Sequence, residues 1–150
     1  MKVIDFLAED AVKLDLVAET KDEVLAELVE QLSLDEKNTA VVLRMLKKRE
    51  HMGSTGMGRG IAIPHGRSLV ISRLMIAVGR SSRGVDFSAM DDKPVHLFFL
   101  IVAPPQEISN IYLPTLGRVA QFVKDAENRE AMLAAETAET FRDLIGRIEG

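Results

Sequence analysis

From Leu97 to Val102 the chain reads Leu-Phe-Phe-Leu-Ile-Val, six apolar residues without interruption. A strand with one face in water alternates apolar and polar side chains. An unbroken apolar run of strand length, bracketed by Pro94 and Pro104, therefore predicts a central strand covered on both faces. The neighbouring segments have to supply that cover. Leu74 to Ser81 is a second short apolar run, and Val12, Leu14 and Leu16 alternate with Lys13 and Asp15 as in a strand with one buried face.

Between these runs the periodicity is helical. Val24, Leu25, Leu28, Val29 and Leu32 share one face, and Thr20 with Glu23 makes a capping box. A second helix is predicted from about Asp35 through Lys48, burying Val41, Val42, Met45 and Leu46. Two more helices close the chain. One starts near Leu113 or Pro114, with the proline in its first turn, and buries Leu116, Val119, Ala120 and Val123. The other is capped by Thr137 and buries Phe141, Leu144, Ile145 and Ile148. Strands and helices interleave with no repeat, low-complexity tract or linker, so one α/β domain over residues 1–150 is expected.

An apolar content of 47% is enough for one substantial core. The net charge of −4 disfavours a duplex nucleic acid or an anionic membrane as main partner, because either needs a basic face. With no cysteine, thiolate nucleophiles, thiolate metal sites and disulfides are excluded, which fits a cytoplasmic location. No apolar run is long enough to span a bilayer, and the N-terminal residues do not form a signal-peptide core. The three histidines lack the spacing of a metal site, so neither metal nor other cofactor is expected. His96 reads as a satisfied structural or edge residue, and His51 as a helix-end charge.

The stretch Gly53 to Arg67, Gly-Ser-Thr-Gly-Met-Gly-Arg-Gly-Ile-Ala-Ile-Pro-His-Gly-Arg, is where chemistry concentrates. It has no Gly-Lys-Ser/Thr ending, and Gly56, Gly58 and Gly60 are spaced G-x-G-x-G, so neither a Walker A loop nor a dinucleotide loop fits. What remains is a run of backbone amides able to approach an anion closely. A phosphoryl group is such an anion, and His65 is its natural nucleophile: neutral imidazole attacks phosphorus without a separate base and forms a labile N–P bond. Pro64 fixes the local backbone and Gly66 leaves the ring uncrowded. Arg49, Arg67 and the loop amides supply charge neutralisation. Each has a plainer reading, Arg49 as a cation completing a helix dipole and Arg67 as a surface charge that helps a partner dock.

The span from Arg49 to Arg67, Arg-Glu-His-Met-Gly-Ser-Thr-Gly-Met-Gly-Arg-Gly-Ile-Ala-Ile-Pro-His-Gly-Arg, closely resembles the phosphorylation-site signature of the IIA domains of the bacterial phosphoenolpyruvate-dependent phosphotransferase system, in the fructose, mannitol and nitrogen-regulatory group. The resemblance covers almost the whole chain. It implies an α/β sandwich, a mixed sheet flanked by helices, with the phosphohistidine in a shallow depression. His65 then corresponds to the phosphoacceptor, loaded by a histidine phosphocarrier protein of the HPr or NPr type. Arg49 corresponds to the arginine that stabilises the phosphoryl oxygens, while Ser54, Thr55, Gly58, Gly60, Arg67 and Tyr112 bind or support the group.

One position departs from the pattern. Many relatives carry a second histidine at the start of the late helix, its ring against the phosphorylated one, where this chain has Tyr112. A tyrosine can donate a hydrogen bond but, with an ordinary pKa of about 10, does not exchange protons near neutrality. Arg59 also stands at a variable position and adds positive potential. The wording of the signature leans towards the nitrogen-regulatory type. Two other readings stay open: a sugar-transport IIA subunit passing phosphate to a IIB component, and a regulatory module whose unphosphorylated surface binds a target protein.

Overall fold

The computed structural model describes residues 2–106 and 110–148. Its centre is the apolar run Leu97–Val102, part of strand β6 (Val95–Ala103), which follows β1 (Leu7–Lys13), α1 (Lys21–Glu30), α2 (Glu36–Met52), β2 (Gly56–Gly58), β3 (Ile61–Ala62), β4 (His65–Arg67) and β5 (Met75–Val85). Three helices follow: α3 (Tyr112–Lys124), α4 (Ala126–Ala134) and α5 (Ala138–Ile145). The six strands form one mixed sheet in the order β1-β5-β6-β3-β2, and β4 pairs with β6 beyond β3. β5 and β6 run antiparallel, with Ile76 opposite Ile101 and Val78 opposite Phe99. β1 runs parallel to β5, and β3 and β4 run parallel to β6.

Burial explains why β6 is central. Every residue from Leu97 to Ala103 is buried, so both faces of the sheet are covered there, as an unbroken apolar run requires. Phe87 packs edge-on against Phe98 with ring centroids 5.4 Å apart. The α1 face is fully inside at Val24, Leu25, Leu28, Val29 and Leu32. Its capping box forms, Thr20 accepting from the Glu23 amide and Glu23 from the Thr20 amide. Asp35 caps α2 through the Asn38 amide, and Thr137 caps α5 through the Thr140 amide.

Several expectations need correction. The first strand lies at Leu7–Lys13, earlier than the Val12–Leu16 alternation suggested: Leu7 and Ala11 are its buried residues, while Leu14 and Leu16 lie half-buried in the connection beyond its end. α2 continues through Met52 and so contains His51. Val41 and Met45 are only half-buried, and so are Leu116 and Ala120 of α3, since these faces border surface hollows. The predicted scheme lacks α4, which buries only Met132 and so carries almost no apolar periodicity; Asp125 marks its start by accepting from the Glu127 amide. Of the two readings of His96, the satisfied structural one holds: it lies on the central strand, and its Nδ1 is 2.8 Å from the Ser81 carbonyl oxygen.

Glu27 ties the connection after β1 to α1. Its carboxylate accepts from the Val17 and Ala18 amides and lies 2.7 Å from Lys13 Nζ. Burial by itself raises its pKa, but the hydrogen bonds from Lys13 and from the Val17 and Ala18 amides outweigh it, so the net direction is downward. A carboxyl with a depressed folded-state pKa stabilises the fold above its unfolded pKa, about 4.3, and loses that contribution as pH falls through the folded value. Glu27→Gln is thus less stable than wild type at pH 7, and urea titrations from pH 7 to pH 3 will show the gap closing below about pH 4.3. At the sheet centre, Phe98→Ala costs about 3–5 kcal/mol, while Val17→Ala, at an exposed side chain, stays within about 0.5 kcal/mol in the same titration.

Candidate functional site

The last turn of α2 carries both Arg49 and Glu50, which face in different directions. Glu50 is buried, and its carboxylate accepts from the Thr55 amide at 3.1 Å and from the Thr55 hydroxyl. Lys21 Nζ of α1 reaches the same carboxylate at 3.3 Å and lies 4.7 Å over the Phe87 ring. One acid therefore holds the incoming glycine stretch against two helices. The Ser54 hydroxyl donates to the Phe87 carbonyl at 2.6 Å and accepts from the Gly56 amide, fixing the next turn. Ser54 and Thr55 thus support the backbone of the stretch.

Beyond that anchor the glycine stretch is not a loop; its residues enter the sheet. β2 and β3 form a small antiparallel hairpin whose turn residues, Arg59 and Gly60, both have positive φ, as two-residue hairpin turns demand. Gly60 is the compliant residue here, its carbonyl accepting from the His96 and Leu97 amides. Asp91 accepts from the Arg59 amide at 2.9 Å, which with the Lys93 amide holds its carboxyl below the ordinary range. The Arg59 guanidinium bonds the Lys124 carbonyl and, with Gly58, lines a separate recess on the hairpin's other side. Gly58 and Gly60 thereby shape the hairpin and do not line the hollow that holds His65, and Arg59 lies outside it too.

β4 then places His65 beside Ile101 and Arg67 beside Ala103 of β6. Residues two apart in a strand project to the same face, so His65 and Arg67 are neighbours in space. Tyr112, the first residue of α3, packs against both: its ring centroid is 6.5 Å from that of His65, and the Arg67 guanidinium lies 4.5 Å over its ring. Arg67 also donates to the Pro104 carbonyl at 3.1 Å. Its guanidinium is thus held in place although the side chain is exposed. Gly66 faces a different neighbour than expected: a Cβ there would displace the flexible thioether end of Met45 of α2.

His65 is half-buried, and its Nδ1 is 2.6 Å from the Ile63 carbonyl oxygen. A carbonyl only accepts, so Nδ1 carries the proton and Nε2 keeps its lone pair. The ring lies in a hollow of about 270 Å³ lined also by Arg49, Ser54, Thr55, Gly56 and Met57 of the stretch and by Leu116 of α3. Arg49 donates to the Gly53 carbonyl at 2.8 Å, completing the helix end while keeping its guanidinium at the hollow. Burial of Tyr112 raises its pKa against the opposing pull of Arg67 and Arg49, so its phenol stays neutral through the physiological range. Among the described residues no cluster of three or more histidine and acidic side chains could hold a metal ion, and no helix is long and apolar enough to cross a membrane.

Residues 5–147 match the family model described as phosphoenolpyruvate-dependent sugar phosphotransferase system, EIIA 2. The chain belongs to that family. Over 149 residues it is 33% identical to the fructose-specific EIIABC component of the phosphotransferase system of Bacillus subtilis, covering 98% of this chain but 23% of that protein. It is 30% identical to a nitrogen regulatory protein of Bradyrhizobium diazoefficiens over 97% of this chain and 95% of the relative. The crystal structure of nitrogen regulatory protein IIA-Ntr from Neisseria meningitidis superposes with a TM-score of 0.87 at 31% identity, over 95% of this chain and 98% of that one. The EIIA domain is a phosphotransfer component, and its mixed α/β fold is that of the IIA-Ntr and mannitol IIA structures.

Glu50 is the residue whose importance the sequence conceals. It stands beside Arg49 inside the signature, but what it holds, Thr55 five residues on and Lys21 of α1, is set only when the chain folds back. Removing its carboxylate leaves the Thr55 amide and the Lys21 ammonium without their shared partner. Glu50→Ala is expected to lower the unfolding free energy by about 2–3 kcal/mol in urea and to speed hydrogen exchange at the Thr55 amide.

Proposed function

We propose that this EIIA domain is a phosphohistidine carrier that accepts its phosphoryl group on Nε2 of His65. The observation that carries this reading is the 2.6 Å bond from Nδ1 to the Ile63 carbonyl, which fixes the tautomer and leaves Nε2 as the nucleophile. The donor is a phosphorylated histidine phosphocarrier protein of the HPr or NPr type. The Nε2 lone pair attacks phosphorus, the N–P bond to the donor's imidazole breaks, and the donor ring recovers its electron pair. The phosphorylated His65 ring keeps its Nδ1 proton and becomes cationic, a charge the Ile63 carbonyl stabilises. Arg49 and Arg67 offset the phosphoryl dianion, and the hollow supplies position more than chemistry. Neutral Tyr112 takes the place of a titrating neighbour, giving the ring a fixed wall with no proton exchange near pH 7.

The nitrogen-regulatory branch is favoured over sugar transport. Superposition on IIA-Ntr with a TM-score of 0.87 at 31% identity supports that choice. In this reading the protein is cytoplasmic, one domain, and passes its phosphate or its phosphorylation state to a regulatory target or a IIB-type acceptor.

Intact mass after incubation with phosphoenolpyruvate, enzyme I and a phosphocarrier protein at mildly alkaline pH tests the core of the proposal. The expected result is one phosphoryl adduct, lost on acidification and absent from His65→Ala. An adduct that persists in His65→Ala, or none on wild type with several phosphocarriers, overturns it.

A further inference from the structure

The recess on the far side of the β2–β3 hairpin takes no part in the chemistry proposed for His65. It encloses about 370 Å³ between the hairpin and the end of α3, lined by Met57, Gly58, Arg59, Ile61, Val123 and Lys124. Ile61 and Val123 are buried and make an apolar floor, while Arg59 and Lys124 are exposed and give the described lining two cations and no acid. Arg59 is the telling residue. Its φ is 59° and that of Gly60 is 80°, a pair of turn positions that asparagine followed by glycine fills at least cost. A long cationic side chain thus stands where backbone preference selects a short one. Its guanidinium donates to the Lys124 carbonyl at 3.4 Å, but that oxygen already accepts from Arg129 at 2.7 Å, so Arg59 can turn to another acceptor without leaving the carbonyl unpaired. The flanking acids are committed elsewhere, Asp91 to the Arg59 and Lys93 amides and Asp125 to the Glu127 amide. Other carbonyls closing α3 are covered as well, that of Val123 by Arg129 and that of Phe122 by Asn128.

We propose that this recess is a binding site for a small organic anion, a molecule that sets a carboxylate or phosphate group between Arg59 and Lys124 and lays an apolar body over Ile61 and Val123. A guanidinium offers parallel N–H donors to either head group, and the ammonium adds a point charge. A volume of about 370 Å³ is of the size that holds one small molecule. The recess is separate from the phosphoryl hollow, since neither His65 nor Arg49 lines it, and its cations act whether or not His65 carries phosphate. Met57 lines both, so an occupant lies one side chain away from the imidazole hollow.

Backbone amide NMR of the full chain, titrated separately with benzoate, phenyl phosphate and neutral benzamide, tests the site. At least one anion is expected to shift the Gly58, Arg59, Val123 and Lys124 amides saturably, with a dissociation constant of about 1 mM, and benzamide to bind at least about tenfold more weakly. The tighter of the two anions tells a carboxylate site from a phosphate site. Arg59→Asn, which suits the turn, should weaken the anion about tenfold while its urea midpoint equals or exceeds that of wild type. Lys124→Gln, outside the turn, should weaken it likewise and decides the matter should the first variant misfold. The proposal is overturned if neither anion saturates those amides below about 20 mM, if benzamide binds as well as the anions, if either folded variant keeps wild-type affinity, or if the shifts fall only at Arg49, His65 and Arg67.

Discussion

A single buried carboxylate joins the two halves of the site. Glu50 closes α2 and, through the Thr55 amide and hydroxyl, sets where the glycine stretch begins its path across the sheet. Eight residues after Thr55 the backbone oxygen of Ile63 receives His65 Nδ1, and the Ile63 amide itself donates back to the Thr55 carbonyl. The bond that selects the imidazole tautomer is thus one backbone hydrogen bond away from the residue that Glu50 anchors. Lys21 draws α1 into the same arrangement, with Phe87 beneath its ammonium. A charge buried so far from water is sustainable because its oxygens are satisfied by two donors of Thr55 and one of Lys21.

The sheet supplies the other constraint. β6 needs cover on both faces and partners on both edges, and its edge away from β5 is shared by two short strands, β3 and β4. Pro64 sits between them, where it cannot donate to the ladder but its carbonyl accepts from the Ile101 amide. That interruption lets Ile63 turn its carbonyl toward the imidazole while His65 resumes pairing. Flexibility is not what the glycines provide. Gly60 occupies a positive-φ hairpin turn, and Gly66 permits α2 to lie close to β4.

Much of this was legible because burial writes itself into periodicity. The Leu97–Val102 run, the α1 face and the Phe141–Ile148 face each carried a strong pattern, and each is buried as that pattern implied. His65 was marked out by a long contiguous motif, and Tyr112 by its place in the late helix. What the sequence left obscure has a common cause: it depends on pairings between distant segments. α4 is held by caps more than by an apolar stripe, so no period announces it. The short strands β2 to β4 contain too few residues to alternate; pairing with β6 makes strands of β3 and β4, and β2 pairs with β3. Arg67 is ordinary as a letter beside His65; its stacking on Tyr112 exists only because α3 starts where β4 ends.

The replacement of a second histidine by Tyr112 changes how the site responds to its surroundings. A histidine pair would alter its charge across neutral pH, so that the field at His65 would vary with proton concentration. Here the facing ring is a phenol held neutral by burial, with the fixed charges of Arg67 and Arg49 opposing but not reversing that shift. Arrival of the phosphoryl dianion then becomes the dominant electrostatic event near the hollow. In the proposed phosphotransfer role it arrives beside Arg49, which lines the hollow, so loading His65 lowers the positive potential there. In that proposed role carrier and regulator are two consequences of one geometry: a cation that offsets phosphate at His65 is also one whose field changes when phosphate arrives.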